Sequence, residues 1–240
     1  MLGLWEFYSL AERIELKPQK LTGTLAGCAF FLIASLYYQQ LIPRMYLIII
    51  LLLLFIIPIF ELYKKNDQPL VNICVTLGGI FYLCIPLVLL NHLTYPPRIS
   101  PDFQFLQYNP NILLGFFFLS WTNDTFAYIF GIQLGKHKLF ESVSPNKTWE
   151  GSFAGAVFCL ITAHIISLYF KELLPIHWYI MALIVIIFGT LGDLVQSKLK
   201  RNMNVKDSGK ILPGHGGILD RFDGIFMAAP FVFAFIQYLK

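Results

Sequence analysis

The sequence predicts an all-α, polytopic integral membrane helix bundle with about seven transmembrane helices. Three observations carry that expectation. Hydrophobic residues make up 57% of the 240 and charged residues only 13%, against roughly 45–50% and roughly 25% in soluble domains. The mean hydropathy is +0.65. Apolar runs close to the ~20 residues needed to cross a hydrocarbon core recur along the chain. Such a composition could fill a large soluble core but could not cover its surface. The net charge of +4 lies in loops between apolar runs and not on one continuous face, so no nucleic-acid partner is expected.

Residues 1–21 read as an amphipathic helix in the cytosol or at the interface, with Leu2, Trp5, Phe7, Leu10 and Ile14 apolar among charges. They lack the compact apolar core and small-residue cleavage site of a secretory signal. Spans are expected at about 22–42, 45–63, 70–90, 111–134, 152–170, 178–197 and 223–239. Pro58 and Pro86 are expected to kink their helices, the freed backbone groups being satisfied by neighbouring helices. The four cysteines, Cys28, Cys74, Cys84 and Cys159, lie in apolar segments without metal spacing and read as small buried hydrophobes. The whole of 1–240 reads as a single membrane domain, with N-terminal helices over 1–110 and the catalytic part over 111–240.

Charge orients these spans. With the N-terminus inside, 14 of the 18 Lys and Arg fall in inside loops, which supports seven spans with the C-terminus outside. The polar segments 135–151 and 198–222 then share the cytoplasmic face of an inner or plasma membrane, while 91–110 lies outside.

The densest polar stretch is Gly192–Asp223, GDLVQSKLKRNMNVKDSGKILPGHGGILDRFD, with four acids, six Lys or Arg and one His. Asp124, Asp193 and Asp220 stand in or beside apolar runs. A carboxylate there costs some ~2.5–3.5 kcal/mol on insertion scales, which makes each a functional candidate. Asp193, Ser197 and Arg201 recur at four-residue spacing on one helix face, serving either as a salt-bridged stripe or as a carboxylate and hydroxyl facing a metal-bound anion. Asp220 and Asp223 favour a helix N-terminus, and capping alone could explain one of them. The glycines around His215 allow a backbone to approach a ligand closely. Oxygen donors and cations without a cysteine or multiple-histidine set favour Mg2+ with phosphate oxygens over zinc. That is the equipment of phosphoryl or nucleotidyl transfer. A solvated positive-inside loop is the plain alternative for GKHKLFESVSPNKTWEG, and structural ion pairs for the acids.

Residues Ser197–Asp223 resemble the signature of the CDP-diacylglycerol synthase (phosphatidate cytidylyltransferase) family, S-x-x-K-R, K-D-x-G, P-G-H-G-G and D-R-x-D. The upstream WTNDTFAY and SPNKTWEG are similar to that family's further blocks, so the resemblance covers about 120–224. It implies a helical membrane enzyme that joins CTP and phosphatidate, using Mg2+ and often a monovalent cation such as K+. The metal-centre acids fall on Asp193 and Asp220, and Asp124 matches the earlier acidic block. Lys200, Arg201, Lys206 and Lys210 would hold phosphates, and Ser144, Asn146 and Lys147 would help seat the nucleotide. Ser197, Asp207, His215, Arg221 and Asp223 complete the substrate-binding set. Further apolar helices ahead of Trp5 are common in the family, and a homodimer is one assembly compatible with it. A transferase acting on another lipid, or an ion-coupled transporter using Asp124 and Asp193, are the rival readings. The transporter would call for repeat symmetry that the sequence does not display.

Overall fold

A computed structural model describes residues 1–65, 67–95, 108–209 and 216–239. Lys210, His215 and most of the 91–110 connection therefore lie outside the described residues. The helices are α1 (Leu2–Glu12), α2 (Lys20–Tyr38), α3 (Leu47–Glu61), α4 (Pro69–Gly79), α5 (Ile85–Leu93), α6 (Asn111–Leu134), α7 (Trp149–Tyr169), α8 (Pro175–Ile184), α9 (Thr190–Asn202) and α10 (Leu219–Tyr238). A short antiparallel hairpin, β1 (Lys138–Phe140) and β2 (Ser144–Thr148), precedes α7. The all-α polytopic class expected from composition is the class observed.

Among the described residues, six helical stretches are long and apolar enough to cross a membrane: Lys20–Tyr38, Arg44–Glu61, Pro69–Leu93, Asn111–Leu134, Trp149–Tyr169 and Pro175–Asn202. The seventh expected span corresponds to α10, a helix of 20 residues. It falls outside the six because Asp220, Arg221 and Asp223 crowd its start. Two of the six contain a widened π turn. One, Ile80–Cys84, lies just before Pro86, whose missing N–H and bulky ring disturb the ladder at that point. The other, Val185–Gly189, leads directly into the helix that carries Asp193. Such π turns occur often at functional sites.

The chain divides into two compact units, one of residues 1–92 with 200–222, the other of 93–199 with 223–240. In the first unit, α1 does not lie free at an interface. Its Leu4, Glu6, Tyr8, Leu10 and Ala11 are buried, and it packs on α2 and α4. Leu2, Trp5 and Ile14, expected on the apolar face, are exposed instead. The apolar side that packs is set by Leu4, Tyr8 and Ala11, one helical turn apart. Tyr8 anchors it by donating to the Thr76 carbonyl at 2.8 Å. Nearby, Gln19 Nε2 donates to the Ile57 carbonyl and to Glu61 Oε2, both at 2.7 Å. That buried polar knot ties the α1–α2 connection to α3 and α4.

In the second unit the closest packing is between α6 and α7. Gly151 and Gly155 repeat at four-residue spacing on α7, the small-residue pattern by which membrane helices approach closely. A Cβ at Gly151 would stand 2.5 Å from the Ala127 carbonyl oxygen, and one at Gly155 would stand 2.6 Å from that of Asn123. The two backbones touch where any larger side chain would part them. This crossing sets the register between α6, which carries Asp124, and the first turns of α7.

Candidate active site

The entry to α7 is built by capping. Thr148 is the N-cap, its Oγ1 accepting from the Gly151 amide at 3.2 Å. Glu150 in the first turn reaches back to accept from the amides of Lys136 and His137. The hairpin pairs Lys138 with Thr148 and Phe140 with Ser144, with an irregularity between. The segment read from sequence as a basic loop is thus a hairpin clamped to a helix start, and Lys147 projects from its last strand.

Lys147 makes an ion pair with Asp193 of α9. The other Asp193 oxygen accepts from Ser197 at 3.3 Å, one turn on, as the four-residue spacing predicts. Asp124 interacts electrostatically with both Lys147 and Asp193, and its Oδ1 lies 3.4 Å from the Asn123 amide nitrogen. Two carboxylates and one lysine, from three elements of the second unit, form one charged group. Ser144 is half-buried and Asn146 exposed on the same hairpin.

The first unit holds the other group. Asp220 in the first turn of α10 accepts at Oδ1 from Lys200 at 2.6 Å. Its Oδ2 accepts from the Ser208 amide at 2.8 Å, the Ser208 hydroxyl at 2.9 Å and the Gly217 amide at 2.9 Å. Burial by itself would raise this carboxyl, but Lys200 and the two amides outweigh it and hold it below the ordinary aspartate value. Gly216 has a φ of 81°, which favours glycine, and a Cβ there would stand 2.8 Å from Asp220 Oδ2. The close approach that glycines were expected to give a ligand is made here to the protein's own carboxylates.

Arg201, Lys206 and Asp207 are exposed. Arg221 is also exposed, and Asp223 Oδ1 accepts from the Gly224 amide at 2.8 Å as a local cap. Lys200 is only 9% exposed and is committed to Asp220, so in this state it is not a free phosphate cation. The residue that sequence reasoning missed is Glu6. Its side chain is buried, with Oε2 accepting from the Leu219 amide at 3.0 Å and lying 3.3 Å from the Ser208 hydroxyl. A charged residue in an amphipathic helix gives no sign of burial until its neighbours are known.

No three His, Cys, Asp or Glu side chains cluster among the described residues. That donor set still fits Mg2+ in kind, because Mg2+ is usually held by one or two carboxylates together with water and substrate phosphates.

The sequence matches the cytidylyltransferase family over residues 1–239. The chain belongs to that family. Among its relatives are proteins named phosphatidate cytidylyltransferase from Staphylococcus aureus (strain COL) and Staphylococcus haemolyticus (strain JCSC1435). Each is 51% identical over 116 residues, covering 48% of this chain and 44% of the relative. The protein of the same name from Staphylococcus saprophyticus is 48% identical over a stretch of the same length and coverage. The matched stretch thus spans less than half the length of these curated relatives.

Proposed function

We propose that this protein is a phosphatidate cytidylyltransferase, joining CTP and phosphatidate to give CDP-diacylglycerol and pyrophosphate. The observation that carries this reading is the 116-residue likeness to proteins of that name. The two lysine-neutralised carboxylates support it, since such pairs can exchange partners with a phosphate-bearing ligand. An ionised phosphate oxygen of phosphatidate attacks the α-phosphorus of CTP, the bond to the β-phosphate bridging oxygen breaks, and pyrophosphate leaves. The nucleophile is already anionic at neutral pH, so no strong general base is required. Lys147 and Lys200 turn from their carboxylates to phosphate oxygens, and Lys206 and Arg201 add exposed positive charge. Asp193 and Asp220 are the residues to hold Mg2+, which when bound offsets charge on the phosphates and polarises the phosphorus. A K+ ion as second cation, a cytoplasmic active face, and an N-terminus inside with the C-terminus outside belong to the same reading.

The test uses the purified full chain in lipid nanodiscs with radiolabelled CTP, Mg2+ and phosphatidate. Label is expected in the chloroform-extractable fraction only when phosphatidate is supplied. Transfer to a polyprenyl phosphate but not to phosphatidate would overturn the substrate, and no transfer to any lipid would overturn the activity.

A further inference from the structure

Glu6 has a structure that its place in α1 does not explain. It is 4% exposed, and among the described residues it makes no ion pair. Its Oε1 is buried and has no hydrogen-bond partner among the described residues. That oxygen is pressed between two glycines: a Cβ at Gly209 would stand 2.5 Å from it, and one at Gly217 2.8 Å. A buried carboxylate with one bare oxygen is costly, and an apolar residue of similar size would fill the space with less penalty. The Leu219 amide at the start of α10 accounts for Oε2 but not for the bare Oε1.

The reason lies in Ser208. Its single hydroxyl proton is within reach of two carboxylates, Asp220 Oδ2 at 2.9 Å and Glu6 Oε2 at 3.3 Å. A hydroxyl donates one hydrogen bond at a time. While it faces Asp220, Oδ2 holds three donors, the hydroxyl and two amides, beside Lys200 on Oδ1, which makes the carboxylate a poorer acceptor for a ligand. When it rotates to Glu6, Asp220 sheds one donor, while the Leu219 amide keeps Glu6 fixed to the start of α10. We propose that Glu6 is a positioning residue. It takes the Ser208 hydroxyl, and so relieves Asp220 of one donor, when Asp220 engages the cation-bearing nucleotide. This inference rests on the assignment of Asp220 to Mg2+ made above.

The experiment measures CTP binding in the presence of MgCl2 by calorimetry on the purified full chain in nanodiscs, alongside kcat and KM. Glu6→Met, Ser208→Ala, the double variant and Asp220→Asn are compared. Glu6→Met is expected to weaken CTP binding about tenfold, the scale of one hydrogen bond to a charged group, because the Ser208 hydroxyl then stays on Asp220. Ser208→Ala removes the competing hydroxyl and is expected to bind CTP at least as tightly as the parent. The double variant is expected to bind like Ser208→Ala, because without the hydroxyl Glu6 has nothing to take from Asp220. Recovered binding in the double variant separates the effect from loss of fold, since Glu6→Met also leaves the Leu219 amide without its acceptor and is expected to melt lower. Parent-like CTP binding by Glu6→Met, or a double variant as weak as Glu6→Met, would overturn the proposal. Should Glu6→Met not fold, Ser208→Ala decides alone, and weakened CTP binding there would overturn the proposal. If Asp220→Asn itself binds CTP like the parent, the assignment of Asp220 falls and this inference with it. If Asp220→Asn is impaired while Glu6→Met is not, only the relay is wrong.

Discussion

Asp193 and Asp220 each carry a lysine on one oxygen, yet the two pairs are built differently. Lys147 and Asp193 are 26% and 32% exposed at their side chains, and Asp193 has one further donor, the Ser197 hydroxyl. Lys200 and Asp220 are 11% and 10% exposed, and Asp220 receives three further donors from Ser208 and Gly217. The first pair is an open contact between a hairpin and a helix, able to change partners at little cost. The second is a knot that ties Ser208 and Gly217 to the start of α10. A carboxylate can thus be expected to serve chemistry at either place, but only at Asp220 does it also hold the backbone.

The sharpest break between the two is made by Asp220→Asn and Asp193→Asn. Removing the buried charge at Asp220 turns an amide toward donors and strands Lys200, a loss of ~3–5 kcal/mol for a broken buried pair. Its thermal unfolding is expected to drop markedly along with turnover. Asp193→Asn is expected to abolish turnover while its melt changes by no more than ~1 kcal/mol, the scale of an exposed pair. Circular dichroism melts beside the labelled-CTP assay decide it. Equal melts for the two variants, or retained activity in Asp193→Asn, would erase the distinction. Turnover of the double variant reads whether the acids act as a unit, in which case it is little worse than either single.

Exchanging the cations sharpens the same contrast at smaller scale. Lys200→Met is expected to destabilise clearly, because Asp220 stays charged and buried with only neutral donors. Lys147→Met is expected to leave the melt almost unchanged while raising the apparent KM for CTP. A melt lowered equally by both would show that exposure does not separate them.

Acid distinguishes the pairs as well. The Asp220 carboxyl is held below its ordinary value, so its contribution to stability is present above about pH 3.9 and is lost as pH falls through its lower folded value. The melting difference between the parent and Asp220→Asn is therefore expected to narrow as pH is lowered from about 5 to about 3. A difference that stays constant over that range would remove the linkage. The smallest effect is expected from Lys206→Gln, at an exposed residue: a modest rise in the CTP concentration needed for half-maximal rate, with no change in melting.

Much of this was legible in the chain itself, and the limits have physical causes. Apolar runs place the spans because a helix must satisfy its own backbone in lipid. The four-residue spacing of Asp193 and Ser197 places both on one face, where they meet. The hairpin was missed because its strands, KLF and SPNKT, carry little β preference and are held by capping of α7. The partners of Lys147 and Lys200 were missed because a lysine's spacing does not tell whether it faces a ligand or a carboxylate brought in by tertiary packing. Glu6 and Glu61 were passed over for the same reason. Each stands among residues of opposite character, and only the packing of α1, α2, α3 and α4 shows that both are buried.

The lysine on each carboxylate has a consequence for what the resting protein will accept. Each aspartate already carries a lysine, so a ligand exchanges for a partner there and does not meet a bare charge. A lone anion that claims Lys147 or Lys200 leaves an aspartate uncovered, and a lone cation that claims the aspartate leaves a lysine uncovered. A visitor bringing both signs at once satisfies both halves, so each component is admitted more readily in the presence of the other, with the same coupling in either direction.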